Sequence, residues 1–595
     1  MYAQIPALIG QAVQYFQQGD LPRATALLDQ VLAAQPRNFD ALHILGVIQA
    51  MQGKRAAAIE LFRKALSLNK NHSFLQFNMA KALSESDQDA EALVHHKRAT
   101  QLAPDHAEAW LNYGQSLLKL EHHQEAVGAF ERATTINPLY AAAWSNLGLA
   151  WSKLGRTTDA FAALNRAIAL QADLAQAHYN LGCMLDELQR GEEALASYDR
   201  ALQFKPDYAE AWNNKGITLA DLHRHAQALA CYERAAALNP SYAQAWNNKA
   251  GSLLALGQMD DAIVAYQQAL AIQPDYADAQ VNLGHLLLQK GDFPDAWEKC
   301  EFRWQVKKDA PRPLPTQRPR WTGAPSNRPV LLWGEQGIGD QILYSSILPD
   351  LATFPQRKLV ALDRRLIPLF ARSLPGFEFI DLAQASDSLD FAEQLPLGSL
   401  PRYFRPSRES FAAARHPFLV ADPARVTALR EKIARPGQLI CGVSWSSNRN
   451  VIGKHKSIGL EQMLSALASD KLHFVDLQYG DTRAERQALQ DKHGIAVQHL
   501  DEIDNFNDID GLAALIAACD VVISTSNSTV HLAGALGKAT LLLLPSGKSK
   551  IWYWSEFDGR NLWYPTIQSF SQTEPGQWQQ ALALLKQHLE GKTWN

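Results

Sequence analysis

The apolar residues in the first half of the chain recur with a period of 34 residues. Within residues 107–140, four of them fall at helical spacing and would fill the layer between two short helices: Trp110, Leu117, Phe130 and Ala133. We expect the two helices to cross at Gly114 and Ala126. Small residues are needed there, because a large side chain would push the helices apart. Pro138 ends the second helix and turns the chain into the next unit. The pattern predicts helix pairs that stack on one another.

Two further columns fix the register of the repeat. Prolines occupy one of them, in which Lys70 and Ala172 are the replacements: Pro36, Pro104, Pro138, Pro206, Pro240 and Pro274. The other holds alanine in nine consecutive units: Ala24, Ala58, Ala92, Ala126, Ala160, Ala194, Ala228, Ala262 and Ala296. This register resembles the tetratricopeptide repeat (TPR), a helix–turn–helix unit of about 34 residues. The resemblance implies an α-solenoid of nine repeats over residues 1–308, with a concave face.

A column of asparagines is not explained by packing. Asparagine is unfavourable inside a helix, yet seven consecutive units carry it: Asn78, Asn112, Asn146, Asn180, Asn214, Asn248 and Asn282. An asparagine amide offers a donor and an acceptor, so it can pair with the backbone of an extended peptide. The alternative is that these amides brace neighbouring repeats. The run resembles the asparagine ladder of the nucleocytoplasmic O-GlcNAc transferase, which favours peptide binding.

The pattern changes after a proline-rich stretch at residues 309–328, which we predict to be a semi-rigid linker. From residue 329 onwards, short apolar strands alternate with helical patterns, as in PVLLWG, KLVAL, LICGVSW and DVVISTS. This alternation predicts two open α/β lobes, at 329–435 and 436–570, and a C-terminal helix within 571–595. Ligands of such sheets bind at the carboxyl ends of the strands, so we expect a cleft between the lobes.

Composition narrows the possible functions. The chain has 595 residues, too many for a single core, and its formal net charge of −4 gives no indication of nucleic-acid binding. Its five cysteines have no paired spacing, so we expect buried thiols and neither disulfides nor a zinc site. The first residues lack the features of a signal peptide, and no apolar stretch approaches the length of a membrane span. We therefore expect a cytoplasmic protein.

The first candidate for chemistry is the loop GEQGIGD at residues 334–340. Gly337 and Gly339 would let the backbone approach a ligand closely, and Asp340 stands where a helix begins. The alternative is that Asp340 is a plain helix cap. The glycine spacing is not that of the dinucleotide fingerprint, and no Walker lysine follows, so the loop alone does not indicate a nucleotide site.

The second candidate is the turn at residues 524–529, where six small polar residues join an apolar strand to a helix that opens with His531. Hydroxyl groups, free backbone N–H groups and the positive end of the helix would together favour a phosphate or diphosphate. The alternative is a hydroxyl-rich helix cap, which would need only one or two such residues.

Three stretches of the second half resemble a known family: GEQGIGDQILYSSILP, HLAGALGKATLLLLP and NLWYPTIQSFSQ. Together they are similar to the glycosyltransferase lobes found behind TPR arrays in bacteria, and to the ADP-heptose:lipopolysaccharide heptosyltransferases, which have the GT-B fold. The whole architecture resembles that of the O-GlcNAc transferases and, more closely, of the TPR-fused flagellin glycosyltransferases. The resemblance implies an α/β GT-B fold with two Rossmann-like lobes.

The resemblance also implies roles for individual residues. Asp340 matches the proposed general base of the heptosyltransferases, and Glu335 is the second choice. Lys456 matches a basic residue that neutralises donor phosphate, with Arg449 and Lys454 as rivals. The residues expected to contact the nucleotide-sugar donor are Gly337, Gly339, Ser446, Asn448, Lys456, Gln478, Ser526, Asn527, Ser528, Thr529 and His531. Gln478 belongs to a loop that would pass the nucleotide base.

The sequence departs from the family at one informative place. Heptosyltransferases carry Asp-Thr-Gly before the histidine helix, whereas this chain has Ser526, Asn527 and Ser528. Loss of the carboxylate argues against heptose and allows a negatively charged sugar. We therefore hypothesise a CMP-linked nonulosonic acid, such as pseudaminic acid, as the donor.

Other polar and aromatic clusters have plainer interpretations. Asp508 and Asp510 form a D-x-D sequence, which we interpret as a helix cap because a helical pattern follows at once. We expect no metal and no cofactor. The aromatic residues at 552–554 and 563–564 are interpreted mainly as packing, and Lys548 and Lys550 as a solvated loop.

These expectations together describe a metal-independent, inverting protein O-glycosyltransferase. Its solenoid would bind a polypeptide, with flagellin as the expected acceptor, and its cleft would transfer a sugar from a nucleotide donor to Ser or Thr. No nucleic-acid partner is expected. One alternative is a TPR adaptor whose transferase lobes no longer catalyse. The other is a lipopolysaccharide heptosyl-type or UDP-GlcNAc-type sugar transferase.

Overall fold

The computed structural model describes residues 4–306, 308, 310–447, 456–546, 551–574 and 576–592. Its contacts divide the chain into two compact units, Met1–Asn239 and Pro240–Asn595, which are described in turn. Two successive architectures run along the chain, first an all-helical TPR solenoid and then an α/β region with parallel sheets. Among the described residues, no helix is both long enough and apolar enough to cross a membrane.

The first unit consists of helices in pairs, one pair for each repeat. Its helices are α1 Ile5–Gln17, α2 Leu21–Ala34, α3 Phe39–Met51, α4 Arg55–Leu68, α5 Ser73–Ser84, α6 Asp89–Leu102, α7 Ala107–Lys119, α8 His123–Ile136, α9 Ala141–Lys153, α10 Thr157–Leu170, α11 Ala175–Glu187, α12 Gly191–Phe204, α13 Ala209–Asp221 and α14 His225–Leu238. The second unit begins with two more pairs: α15 Ala243–Ala255, α16 Met259–Ile272, α17 Ala277–Lys290 and α18 Phe293–Cys300.

Small residues let the two helices of each pair approach closely. All nine alanines of the repeated column have no exposed surface. Gly114 of α7 faces Phe130 of α8, and a Cβ atom at Gly114 would lie 2.5 Å from the ring. Gly182 and Gly216 face Tyr198 and Tyr232 in the same way. The helix crossings therefore require residues without a side chain or with a single methyl group.

The turn within each pair places one residue in the left-handed region, again at a spacing of 34. Five of these nine positions are glycine: Gly19, Gly53, Gly155, Gly257 and Gly291. The other four, with φ between 57° and 63°, are Asp87, Glu121, Gln189 and His223. For a residue with a Cβ atom, this left-handed conformation is less favourable by about 1–2 kcal/mol. The fold holds these turns in spite of that cost.

The first sheet of the α/β region contains β1 Val330–Trp333, β2 Lys358–Leu362, β3 Glu378–Asp381 and β4 Glu393–Pro396, all parallel, in the order β3-β2-β1-β4. Its helices are α19 Ile338–Ser345, α20 Ile367–Ser373, α21 Pro401–Phe404, α22 Glu409–Ala412 and α23 Pro423–Ile433. The order reverses between β1 and β4, so the loops that follow these two strands share one crevice.

The proline-rich stretch before β1 has neither helix nor strand in its described part, but it is packed against the sheet. Trp321 is 1% exposed, and its ring lies against Phe354 and Phe404. The Trp321 backbone N–H donates to the carbonyl of Gln394 in β4. The stretch therefore covers an edge of the sheet and is not a free spacer.

The second sheet contains β5 Leu439–Ser444, β6 Leu472–Asp476, β7 Val497–Gln498, β8 Val521–Thr525, β9 Thr540–Leu544 and β12 Ile567–Ser571. A short hairpin, β10 Glu556–Phe557 and β11 Arg560–Asn561, precedes β12. The described helices are α24 Leu460–Leu467, α25 Arg483–His493, α26 Ile509–Ala518, α27 Ser528–Ala535 and α28 Gln579–Gly591. The six parallel strands follow the order β12-β9-β8-β5-β6-β7, which is that of the doubly wound Rossmann sheet.

The apolar patterns located most of the strands, but β4 and β12 were not predicted. The sequence of β4, EQLP, has a charge and a proline, which are tolerated because β4 is an edge strand. In β12, IQSFS, two of the five residues are buried, so its apolar signal is weak. The C-terminal helix α28 packs against the second sheet through Leu582, Leu585 and Leu589.

We predict opposite effects for two Gly→Ala changes in one repeat. Gly114→Ala should destabilise the chain by about 1–3 kcal/mol, because the added methyl group would overlap the Phe130 ring. Gly128→Ala, in α8 with no atom within 4 Å of its Cβ position, should stabilise by up to about 1 kcal/mol through helix propensity. Urea denaturation of both variants measures the two effects. Equal shifts would contradict a close crossing at Gly114.

Candidate functional site

The candidate site lies at the reversal of strand order in the second sheet. Ser444 ends β5 and Thr525 ends β8, and these strands are neighbours. Both are followed by hydroxyl-bearing loops, at 444–447 and 524–529. In a doubly wound sheet the crevice between two such loops is where a ligand binds. The hydroxyl-rich turn predicted from the sequence thus stands at the expected end of the sheet.

Much of the polar chemistry of this turn is used inside the protein. Asn527 is the N-cap of α27, and its Oδ1 accepts the Thr529 N–H at 3.1 Å. Its Nδ2 donates to Ser444 Oγ at 2.8 Å and to the Ser446 carbonyl at 3.2 Å. Ser526 Oγ accepts the Trp554 indole N–H at 2.8 Å. Asn527 and Ser526 therefore hold the turn in shape, and for Asn527 the helix-cap alternative applies.

The start of α27 still offers a position for an anion. Ser528 is half-buried, at the first position of the helix. Within the part of the chain that the structure describes, no group accepts the backbone N–H of Ser528 or of Val530. The helix itself supplies no partner for N–H groups in its first turn. These two donors and the helix dipole can together bind a phosphate group.

Gln478 shapes the loop after β5. Its Oε1 accepts three hydrogen bonds, from Ser444 Oγ and from the N–H groups of Trp445 and Ser446, each at 2.9 Å. Its Nε2 donates to the Tyr479 carbonyl at 3.2 Å. This geometry favours a bracing role for Gln478 over the expected contact with a nucleotide base.

The loop with Asp340 meets the second sheet at His531. Gly337 is the N-cap of α19, and Asp340 lies half-buried in the first turn of that helix, so Asp340 is not itself the cap. A Cβ atom at Gly339 would be 2.9 Å from Cδ2 and 3.3 Å from Nε2 of His531. Both candidate loops are thus brought together, one from each sheet. The close approach requires glycine at position 339.

His531 is buried in an aromatic surrounding. Its Nδ1 lies 3.1 Å from the hydroxyl of Tyr564, and its ring centroid is 4.8 Å from that of Trp554. Burial first, and then the charge of Lys456, lower the pKa of His531 to about 3. Burial and nearby groups, Asp340 among them, raise the pKa values of Tyr344 and Tyr564 well above normal. The imidazole of His531 and the phenols of Tyr344 and Tyr564 are therefore neutral.

Glu335 belongs to a buried ion pair. Its Oε1 is 3.0 Å from Nη2 of Arg303, and its Oε2 accepts the Gly398 N–H at 3.3 Å. The Glu335 side chain is 1% exposed. Burial raises the pKa of this carboxyl, while Arg303 and the Gly398 N–H oppose the rise. These contacts favour a structural role for Glu335 over that of an alternative base.

Lys456 is 5% exposed, and its charge contributes to the lowered pKa of His531. Asn448, predicted to bind the donor, lies outside the described residues. The rivals Arg449 and Lys454 and the loop residues Lys548 and Lys550 also lie outside them. Lys456 is therefore the one basic candidate of the predicted set that the structure describes.

A cavity of about 370 Å³ opens beside the ends of β6 and β7. Its walls include His499, Asn505 and the ring of Phe506, which is 51% exposed. Asn505 Nδ2 donates to the carbonyls of Asp476 and Gln478, which fixes the orientation of the amide. Asn505 Oδ1 is buried and meets no donor among the described residues. Gln478, from the loop predicted to pass the nucleotide base, also lines this cavity, whereas its other lining residues form no motif and were not predicted.

The asparagine column of the first unit makes contacts within the solenoid. Three amides donate to the preceding repeat, 35 residues earlier: Asn78 to His43 Nε2 at 3.1 Å, Asn180 to Ser145 Oγ at 3.0 Å and Asn214 to the Tyr179 hydroxyl at 3.0 Å. Asn146 donates to the Ala142 carbonyl of its own helix at 2.9 Å. Asn112 is half-buried, without a side-chain hydrogen bond to any described residue. The geometry favours the bracing alternative for the first three donors.

In the second unit the column becomes more accessible. Asn282 is exposed, and its Nδ2 lies 3.4 Å from Oδ1 of Asn247. Asn248 is half-buried and accepts a hydrogen bond from Asn247 at 3.3 Å. Peptide binding by this column stays a prediction, and Asn282 presents the most accessible amide for it.

The contacts of Asp508, Asp510 and the aromatic residues are those of a helix cap, ion pairs and packing. Asp508 is the N-cap of α26 and pairs with Arg425, while Asp510 pairs with Arg372. The aromatic residues at 552–554 and 563–564 are buried. All five cysteines are free, and four are buried. Within the described residues, no group of three or more His, Cys, Asp or Glu side chains is arranged to hold a metal ion.

Models of the tetratricopeptide repeat match much of the first half of the chain. One, described as "Tetratricopeptide repeat", matches residues 9–73, 79–138 and 114–175. Another, described as "TPR repeat", matches 187–223 and 250–291, and a third matches 209–242. The matches follow the helix pairs of the solenoid, and they identify these pairs as tetratricopeptide repeats.

The chain is similar to two named proteins over part of its length. It is 31% identical over 307 residues to Protein FlbA of Caulobacter vibrioides, covering 48% of this chain and 50% of that protein. It is 37% identical over 90 residues to the beta-barrel assembly-enhancing protease of Yersinia pestis, covering 15% of this chain and 18% of the protease. The chain thus spans half of the first relative and less than a fifth of the second.

Two solved structures are similar to parts of the chain. The APC/C hetero-tetramer Cut9-Hcn1 is 19% identical, with a TM-score of 0.37, over 47% of this chain and 55% of that one. YrrB, described as a TPR protein with an unusual peptide-binding site, is 27% identical, with a TM-score of 0.24, over 31% of this chain and 95% of that one.

The buried His531 should make the second unit sensitive to acid. Because its pKa is lowered to about 3 in the folded state, stability is lost as the pH falls below about 6.5, where the unfolded chain takes up a proton. His531→Gln should reduce the loss of stability between pH 7 and pH 5 by about 2 kcal/mol. Urea denaturation at both pH values measures this difference. The exposed His122→Gln is the control, and equal pH slopes for the wild type and His531→Gln would contradict the assignment.

Proposed function

We propose that the chain is a nucleotide-sugar-dependent glycosyltransferase of GT-B type that acts on a polypeptide. The observation that carries this proposal is the contact of Gly339 with His531, at which the Asp340 loop of one sheet meets the start of α27 from the other. Two doubly wound sheets with their ligand-binding edges in contact are suited to a donor on one side and an acceptor on the other.

The second sheet would bind the donor nucleotide. The N–H groups of Ser528 and Val530, together with the positive end of α27, suit its phosphate, and Lys456 would add a positive charge. The cavity beside β6 and β7 is large enough for a base, which the exposed ring of Phe506 could stack against. Gln478 lines the same cavity, so this assignment adds Asn505 and Phe506 to it as the residues nearest the base.

Asp340 would act as the general base. The acceptor hydroxyl oxygen would form a bond to the anomeric carbon, while the bond from that carbon to the phosphate oxygen breaks, with inversion. The hydroxyl proton would pass to Asp340, and the negative charge of the leaving phosphate would be stabilised at the start of α27. His531, neutral in this surrounding, adds no competing charge beside the base.

The donor sugar that fits best is a nonulosonic acid linked to CMP. The position of the family's carboxylate is Ser526, whose hydroxyl is held by the Trp554 indole. No carboxylate therefore stands at the start of α27 to repel a negatively charged sugar. The choice of CMP over other nucleotides rests on the resemblance and on this charge argument.

The acceptor would be a polypeptide. Tetratricopeptide repeats are protein-binding modules, and the solenoid supplies a long surface for a partner. Flagellin is our candidate on the resemblance to TPR-fused flagellin glycosyltransferases. In the asparagine column, Asn112 makes no side-chain hydrogen bond to a described residue, and Asn282 is exposed although its Nδ2 also donates to Asn247.

One observation favours a second candidate function, a TPR adaptor without catalysis. Ser526, Asn527 and Gln478 direct their side-chain groups into the protein and not toward a ligand. In an adaptor, the turn at residues 524–529 would serve only to stabilise the fold. Nucleotide binding separates the two functions, since only the transferase needs it.

We predict that the chain binds CMP more tightly than UDP or ADP, measured by calorimetry. Lys456→Met should weaken CMP binding by about tenfold, because a buried charge near the phosphate is lost. The exposed Lys290→Met, in α17, is the control and should bind CMP as the wild type does. A clear preference for UDP or ADP would exclude the CMP-linked donor, and binding of no nucleotide would favour the adaptor.

Asp340→Asn should lower the rate of sugar transfer by about 100-fold or more, because the variant cannot accept the hydroxyl proton. CMP binding by the same variant should remain within a factor of about two. Asp390→Asn, at an exposed position after the first sheet's β3, serves as the control. The readout is intact-mass analysis of flagellin incubated with donor and enzyme. Undiminished transfer by Asp340→Asn would show that Asp340 is not the base.

A further inference from the structure

A buried arginine at the end of the solenoid reaches the Asp340 loop. Arg303 lies in the short 3₁₀ turn Glu301–Trp304 that follows α18, and it is 8% exposed. Its Nη2 donates to Glu335 Oε1 at 3.0 Å and to Ser399 Oγ at 2.9 Å. Its Nη1 donates to Glu301 Oε1 at 2.7 Å. One guanidinium therefore connects the last repeat with two loops of the first sheet.

These two loops define the crevice of the first sheet. Glu335 follows β1, and Gly398 and Ser399 follow β4, at the point where the strand order reverses. A Cβ atom at Gly398 would lie 2.2 Å from Glu335 Oε1, so the carboxylate fills the space between the loops. The protein's own ion pair thus occupies a crevice in which other doubly wound sheets bind a ligand.

The loop between Gly334 and Asp340 is held at two points. Glu335 is held by Arg303 and by the Gly398 N–H, and the carbonyl of Gln336 accepts Gln341 Nε2 at 2.8 Å. Gln341 is itself fixed, because its Oε1 accepts the Asp363 N–H at 2.9 Å. Without Arg303, Glu335 would still accept the Gly398 N–H, but it would be left as a buried charge without its cation.

The last repeat is itself anchored to the same lobe. The Trp297 indole N–H donates to the Arg405 carbonyl at 2.8 Å, and Phe293 packs against Phe411. Arg405 in turn pairs with Asp350 at 2.6 Å. Arg303 is therefore presented by a helix pair that is fixed in place and not by a mobile end.

We propose that Arg303 is a positioning residue for catalysis, an inference that rests on the transferase function put forward above. By holding Glu335, Arg303 keeps the loop in the conformation that presents Asp340 beside His531. The final repeat then belongs to the catalytic lobe, and the guanidinium acts through the loop without touching the substrate. Replacement of Arg303 and Glu335 by apolar side chains should therefore lower kcat even where the stability of the protein is unchanged.

A set of three variants separates this role from a purely structural one. Arg303→Met and Glu335→Leu should each lower the melting temperature, since each leaves a buried charge unpaired. The double variant should regain part of that loss, because two apolar side chains replace the pair while Glu301 keeps Arg320 as its cation. Donor hydrolysis and transfer should nevertheless fall by about 100-fold in kcat in the double variant, with KM for the donor unchanged. Recovery of kcat together with stability would overturn the proposal.

The exposed pair of Arg357 with Glu378 provides the matched control in the same sheet. Its double variant, Arg357→Met with Glu378→Leu, should leave kcat and KM unchanged. A loss of kcat in this control equal to that in the Arg303 double variant would also overturn the proposal, because any lost pair on the sheet would then have the same effect.

Hydrogen exchange gives a readout that does not need catalysis. In the full-length double variant, the backbone N–H groups of residues 335–341 should exchange about tenfold faster, while those of β5 and β8 keep the wild-type rate. Unchanged exchange at 335–341 would overturn the positioning role. If the wild type neither binds nucleotide nor hydrolyses a donor, the proposed function fails, and the exchange result still decides whether Arg303 orders the loop.

Discussion

The contact between Gly339 and His531 is the constraint on which the candidate site depends. A glycine allows the first turn of α19 to lie directly on a buried imidazole from the other sheet. His531 is in turn held by the Tyr564 hydroxyl and by the packed Trp554 ring. Any larger residue at position 339 would separate the two loops, and Asp340 would move away from the start of α27. The position of Asp340 relative to the start of α27 therefore depends on the absence of a side chain at Gly339.

The periodic packing of the helices was predictable from the sequence, whereas the hydrogen-bond and ion-pair partners of individual polar side chains were not. Small residues at a spacing of 34 require helix crossings, and Ala126 and Gly114 lie at such crossings in the structure. The ends of β5 and β8 were also foreseeable, because hydroxyl-rich loops follow apolar strands. Arg303 could not be found, since it interacts with a residue 32 positions later through a turn of no recognisable motif. Long-range ion pairs leave no local pattern.

The asparagine column shows how one residue type can serve two purposes. An amide that donates to the preceding repeat, as Asn180 does, stiffens the stack and has its N–H group engaged. An amide at the exposed position of Asn282 remains accessible to solvent. The same column therefore contains both a buried bracing amide and an exposed one, and its sequence spacing alone does not distinguish them.

The division of the chain after Asn239 has a consequence for how such proteins diversify. In the first unit, neighbouring helix pairs share one pattern of small residues, so whole repeats could be gained or lost by duplication with little local disturbance. The final repeat has no such freedom, because Trp297 and Arg303 are committed to the α/β region. Evolution can thus alter the number of repeats in the first unit while the terminal repeat is inherited together with the α/β region.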